Sequence, residues 1–174
     1  MVNALIRFKT VLTKALEWLL IVAVALLLCD VVWGVFTRYV MGEQAKWSEE
    51  LARFLLIWVA LIGSAVAFGS KSHLGVDYLT EKFVPEIRKA VAVLVHLIVL
   101  FFAISIFIYG GGRVVIDALR LEQMTPALGW KMGYVYLALP IAGFFIVLYT
   151  IEDLFETLLT KTSVETSNEE RGLD

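Results

Sequence analysis

Four long apolar stretches alternate with short polar segments along the 174 residues, at about Trp18–Tyr39, Leu51–Gly69, Ala90–Tyr109 and Tyr134–Ile151. Each can supply the ~20 residues that cross a ~30 Å hydrocarbon layer at ~1.5 Å per residue. The short alternating segments of a membrane β-barrel are absent. Lipid offers the backbone no hydrogen-bond partner, so each stretch has to satisfy its own N–H and C=O groups as helix. The pattern therefore predicts an all-α membrane protein with four transmembrane helices. They form one domain over residues 1–160, and a polar, fraying tail follows over 161–174. No internal repeat of the kind that builds transporter halves is visible.

The connections have patterns of their own. Leu5, Phe8, Leu12, Leu16 and Leu19 form one stripe, with Arg7, Lys9 and Lys14 elsewhere. This predicts an amphipathic helix at the headgroup surface leading into the first span. Val76, Leu79 and Phe83 share a face opposite Asp77, Thr80, Glu81 and Lys82, and Pro85 ends the segment. That reads as a second interfacial helix. Gly110-Gly111-Gly112 predicts a break or flexible joint after the third span, with helix resuming over Val114–Leu121 and a turn at Thr125-Pro126. Trp130, Tyr134 and Tyr136 are placed to anchor the fourth span at the membrane interface, and Pro140 to kink it.

Composition strengthens the membrane reading. Hydrophobic residues make up 60% of the chain and mean hydropathy is +0.82, against about 45–50% apolar residues in ordinary soluble domains. A net charge of −2 with mixed signs carries no nucleic-acid footprint. Cys29 is the one cysteine, so no internal disulfide forms. The first apolar run is too long for a signal-peptide core of ~7–15 residues and is expected to be retained. Leu26-Leu27-Leu28-Cys29 lacks the small residue of a lipoprotein box. With both termini inside, nine basic residues face the cytoplasm (Arg7, Lys9, Lys14, Lys71, Lys82, Arg88, Lys89, Lys161, Arg171). Six face outward (Arg38, Lys46, Arg53, Arg113, Arg120, Lys131). The bias favours cytoplasmic termini in a bacterial inner membrane.

No catalytic triad, metal-ligand spacing or phosphate-binding glycine loop is present, so no enzyme, cofactor or metal site is expected. The sharper signals are polar groups inside apolar spans. Asp30 lies well within the first span and His96 about two turns into the third. They are either a proton or ion relay, or helix–helix hydrogen-bond partners, with each other or, for Asp30, with Arg53. Ala60, Gly63, Ser64 and Ala67 have the small-xxx-small spacing that lets helix backbones approach closely, within this chain or with another. Trp47-Ser48-Glu49-Glu50-Leu51-Ala52-Arg53 opens the second span. There Ser48 is a candidate cap, Glu49 and Glu50 suit the positive helix end, and Glu49 can pair with Arg53. Arg38 adds a further charge close to the membrane surface, and Arg53 lies near enough to the hydrocarbon for burial to strengthen its pairing.

This same region carries a family resemblance. Phe36-Thr37-Arg38-Tyr39-Val40, the Gly42 connection and Trp47–Arg53 resemble the small permease (Q, DctQ-like) subunit of tripartite ATP-independent periplasmic (TRAP) transporters. So do Gly63-Ser64-Ala65, His73-Leu74-Gly75-Val76-Asp77, Thr125-Pro126-Ala127-Leu128 and Tyr136–Pro140, in an order that covers about residues 15–155. The resemblance implies a scaffold for the large permease (M) subunit. That subunit takes up organic acids, such as C4-dicarboxylates or sialic acids, from a periplasmic substrate-binding (P) protein in a symport usually driven by sodium. It implies no substrate or ion site on this chain. Two other readings stand beside it: a stand-alone homo-oligomeric channel or transporter using Asp30 and His96, and a membrane anchor for an enzyme cofactor. Haem anchoring would ask for paired histidines at matching depth, and only His96 lies within a span.

Overall fold

The computed structural model describes residues 2–43, 45–70 and 85–171. Its elements are α1 (Val2–Val40), α2 (Lys46–Gly69), α3 (Pro85–Phe102), a π-helical segment (Ala103–Gly110), α4 (Gly111–Arg120), α5 (Met132–Tyr136) and α6 (Ala138–Arg171). No strand occurs among the described residues, where one isolated bridge joins Met124 to Lys131. Among the described residues four stretches are long and apolar enough to cross a membrane: Thr10–Val40, Lys46–Gly69, Lys89–Arg120 and Met132–Leu158. Each contains one of the predicted spans and extends it.

Several local expectations change. The amphipathic arm is not a separate helix, because α1 runs unbroken from Val2 to Val40. Leu16 of its stripe is buried against Ile62 and Tyr149 rather than lying on a headgroup layer. The second expected interfacial helix, on Val76, Leu79 and Phe83, and the His73–Asp77 segment of the resemblance fall outside the described residues. Gly110-Gly111-Gly112 is no joint, since Gly110 and Gly111 keep ordinary right-handed helical dihedrals. The third span instead widens just before them, where the Gly111 N–H reaches back five residues to the Ile106 carbonyl. The polar tail is helical as far as Arg171. The fourth span is interrupted at Leu137, one turn ahead of Pro140, where the proline ring removes a donor and crowds the preceding carbonyls.

Packing sets the spans in the order first, second, fourth, third. Ala65, Ala103, Ala142 and Ile146 form one buried cluster between α2, the π segment and α6. Leu16, Ile62 and Tyr149 form another between α1, α2 and α6. Glycine explains how closely the last two spans approach. A Cβ on Gly143 would stand 2.5 Å from Phe107 Cβ, and one on Gly111 2.8 Å from Leu139 Cβ. Close backbone approach of this kind replaces the missing hydrophobic drive between helices in lipid. The first and third spans form the two edges and leave broad apolar faces exposed, including Trp18, Leu28 and Val32 on one and Leu97, Phe101 and Tyr109 on the other.

Candidate functional site

The polar side chains that the sequence singles out collect mainly at the end of the bundle carrying the 41–45 and 121–131 connections, here termed the hairpin end. Ser48 does not cap α2. The helix begins two residues earlier, after Ala45, which makes no side-chain cap. Ser48 is therefore inside the first turn and fully buried, and its hydroxyl donates to the Asp30 carbonyl of α1 at 3.2 Å. That bond ties the first two spans together near the start of α2. Glu49 accepts from Arg53 at 3.2 Å, as the i, i+4 spacing predicts. Both side chains are about two-thirds exposed within the chain itself (66% and 67%). Arg38 is exposed and makes no ion pair among the described residues.

Glu50 provides the contact that sequence reasoning missed. Its Oε2 accepts the backbone N–H of Ala127 at 3.0 Å and that of Leu128 at 2.7 Å. One carboxylate oxygen thus holds two consecutive amides of the opposite connection, and the anion strengthens both bonds. The loop is shaped to offer them. Thr125, itself buried, donates its N–H to Trp130 O at 2.8 Å and accepts the Trp130 N–H on Oγ1 at 3.0 Å. Gly129 turns the chain with φ +65°. Pro126 has no N–H, which leaves Ala127 and Leu128 as the next free donors. Upstream, α4 closes with Gln123 N–H on Ala118 O and Glu122 N–H on Leu119 O, the paired bonds of a Schellman end. Glu122 takes the left-handed position with φ +47°, where glycine is usual. A cleft of about 970 Å³ opens beside these groups, with Met41, Glu43, Lys46, Trp47 and Pro126 among its walls.

The two intramembrane polar groups do not meet. Asp30 is buried at 6% exposure next to the first turn of α2, and neither carboxylate oxygen has a hydrogen-bond partner among the described residues. It does not reach Arg53. His96 lies toward the other end of the bundle, where its Nδ1 stands 2.6 Å from Ala92 O. About two turns before it in the same helix, Lys89 Nζ donates to Leu158 O of α6. The small-residue set also divides. Gly63 faces Leu20 of α1 inside the chain. Ala60, Ser64 and Ala67 lie on an exposed stripe of α2, with the Ser64 hydroxyl satisfied by Ala60 O at 2.8 Å. Among the described residues no three His, Cys, Asp or Glu side chains are grouped to hold a metal.

A family profile described as "Tripartite ATP-independent periplasmic transporters, DctQ component" matches residues 27–160. The chain belongs to the DctQ family. The matched range contains Asp30, the whole of α2, the 125–128 loop and the glycine contacts between the last two spans. This DctQ-family chain is 26% identical over 159 residues to the sialic acid TRAP transporter small permease protein SiaQ of Vibrio cholerae, covering 91% of this chain and 90% of that one. A putative TRAP transporter small permease protein of Haemophilus influenzae is 31% identical over 150 residues, covering 84% and 89%. The sialic acid TRAP transporter permease protein SiaT of Haemophilus influenzae is 33% identical over 107 residues, which are 62% of this chain but only 17% of that one. In SiaT, then, the region like this chain is a small part of a much longer polypeptide. The protein is a multi-pass TRAP small permease, a transporter subunit and not an enzyme. Two of the segments quoted for the resemblance, Trp47–Arg53 and Thr125–Leu128, are joined by Glu50.

Proposed function

We propose that this small permease is a membrane scaffold that braces a large TRAP permease subunit and does not itself carry substrate. The observation behind this reading is the middle of the bundle. It is filled by Ala65, Ala103, Ala142 and Ile146 with Leu61, Phe68, Val99 and Phe145 packed around them. A transport path needs polar groups at that depth, and these apolar side chains supply none. Asp30 and His96, the groups a stand-alone channel or transporter would use, sit toward opposite ends of this apolar plug. The exposed Ala60, Ser64 and Ala67 stripe gives a partner helix a place to approach closely. SiaT supports the choice of partner, because a region like this chain is covalently part of a long permease there.

On this reading residues 1–160 form one membrane domain in the bacterial inner membrane, with residues 161–174 as a cytoplasmic tail. The nine-to-six distribution of basic residues supports cytoplasmic termini. The assembled transporter takes up an organic acid delivered by a periplasmic binding protein, driven by an ion gradient such as sodium. Arg38, Trp47, Glu49, Glu50 and Arg53 hold the first hairpin and its seam with the large subunit and do not handle substrate. The test is a tryptophan scan read by co-purification with the large permease. Ala60→Trp and Ser64→Trp should reduce recovery of the complex while the chain still inserts and folds. Leu97→Trp, on the exposed face of the third span, should leave recovery unchanged. Full recovery with both α2 variants rejects this stripe as the seam. Cysteines placed at Gly42 and Gln123 should react with an external reagent and those at Ser70 and Ser167 should not; the reverse pattern overturns the orientation.

A further inference from the structure

Beside the seam residues Trp47, Glu49, Glu50 and Arg53, the cleft at the hairpin end holds two charged side chains, Glu43 and Lys46, that the scaffold reading does not use. It is walled by three elements: the end of α1 with its connection (Thr37, Met41, Glu43), the start of α2 (Lys46, Trp47, Arg53) and the 126–127 loop. Its volume of about 970 Å³ is at the upper limit of the ~300–1,000 Å³ usual for small-ligand sites. Tyr39, Trp47, Trp130 and Tyr134 are all exposed at this end of the bundle. Such aromatics mark the headgroup layer, so the cleft opens at the depth of lipid headgroups.

Its charges are partly spoken for. Glu49 is paired with Arg53, and Glu50 holds the two loop amides. Glu43 and Lys46 remain, and neither has a hydrogen bond or ion pair among the described residues. The cleft therefore offers one unmatched anion and one unmatched cation, three residues apart in the chain, beside the apolar surfaces of Met41, Trp47 and Pro126. We propose that the cleft binds the headgroup of a phospholipid with a primary ammonium, of the phosphatidylethanolamine type, with its ammonium on Glu43 and its phosphate on Lys46. The ammonium has three N–H donors for carboxylate oxygens, whereas choline has none. A glycerol headgroup lacks the positive charge and leaves Glu43 unmatched. The glycerol backbone and first methylenes lie against Met41 and Trp47, so the lipid bridges α1, α2 and the Glu50-bound loop.

The experiment uses the full chain in complex with its large permease, purified in detergent and incubated with an equimolar mixture of dioleoyl phosphatidylethanolamine, phosphatidylcholine and phosphatidylglycerol. Retained lipid is read by native mass spectrometry. The parent should keep phosphatidylethanolamine about fivefold over either competitor, the preference expected from one charge-assisted hydrogen bond in a half-open site. Glu43→Gln should erase the preference over phosphatidylcholine, and Lys46→Gln should lower retention of all three. Both residues lie on the surface outside the packed clusters, and an unchanged unfolding midpoint without lipid confirms that the variants fold. Equal retention of the three lipids by the parent overturns the proposal. So does protection of a Lys46→Cys thiol by the large subunit in lipid-free complex, which would mean that the seam extends from Trp47 and Arg53 over Lys46 and that protein, not lipid, covers this part of the cleft.

Discussion

Removing the Glu50 carboxylate should loosen the 125–131 loop without unfolding the bundle. Two backbone amides converge on Glu50 Oε2, at 3.0 and 2.7 Å. A hydrogen bond to a charged group contributes ~1.5–3 kcal/mol when buried. Here the Ala127 amide is exposed and the Leu128 amide only partly buried. In Glu50→Ala water replaces much of what is lost, which brings the local effect to about 2 kcal/mol for the pair, or roughly 30-fold in an opening equilibrium. Glu50→Gln keeps an acceptor oxygen and loses the charge, so about half that energy and a roughly fivefold change are expected. The assay is amide hydrogen exchange at Ala127 and Leu128 in detergent or nanodiscs. Protection there should fall by these factors while the amides of α2 and α6 keep theirs. Glu49→Gln is the control. Its partner Arg53 is two-thirds exposed, and a surface pair is worth only ~0–1 kcal/mol, so the loop amides should not respond. Unchanged protection at Ala127 and Leu128 in Glu50→Ala would refute the clamp. A loss of protection spread over the whole bundle would mean that Glu50 acts in global folding instead.

Three further outcomes follow from the packing. Gly143→Val should lower the unfolding midpoint in detergent and the yield of folded chain. Even its Cβ would stand 2.5 Å from Phe107 Cβ, and overpacking of this kind costs ~1–3 kcal/mol or more; wild-type stability would show that the last two spans are farther apart. Glu122→Gly should stabilise by about 0.5–1 kcal/mol, because glycine removes the left-handed penalty at φ +47° but gives back part of the gain as unfolded-state entropy. A destabilised variant would show that the Glu122 side chain has a role the Schellman geometry does not require. Asp30→Asn should leave both assembly and transport near the parent level, since neither carboxylate oxygen is hydrogen-bonded and the bond from Ser48 goes to the Asp30 backbone. Loss of transport in a fully assembled complex would restore Asp30 as a functional group.

The spans were legible because length and apolarity alone decide them in lipid. Their ends were less so. Ser48 reads as a cap only if α2 starts after it, and the start at Lys46 turns the same hydroxyl toward α1. The Gly110–Gly112 run reads as a break by local propensity, yet in a membrane helix Gly111 serves close approach to Leu139. The π-helical segment before it has no signature in residue types, since Ala103–Gly110 is as apolar as any α-helical span. The Glu49–Arg53 pair was visible because four residues make one helical turn. The Glu50 clamp was not, because its partners are backbone amides 77 and 78 residues away and leave no side-chain pattern to match. The Schellman end escaped for a related reason: Glu122 stands where a glycine would have announced it.

The most direct test of the scaffold account is substrate uptake by proteoliposomes under an imposed sodium gradient, with the cognate periplasmic binding protein outside. Four preparations are compared: the large permease alone, this chain alone, the two together, and the two together with Ala60→Trp. The account predicts uptake only when both subunits are present, none by this chain alone, and a reduced rate with unchanged substrate preference for the variant. Full-rate uptake by the large permease alone, or any uptake by this chain alone, would contradict it.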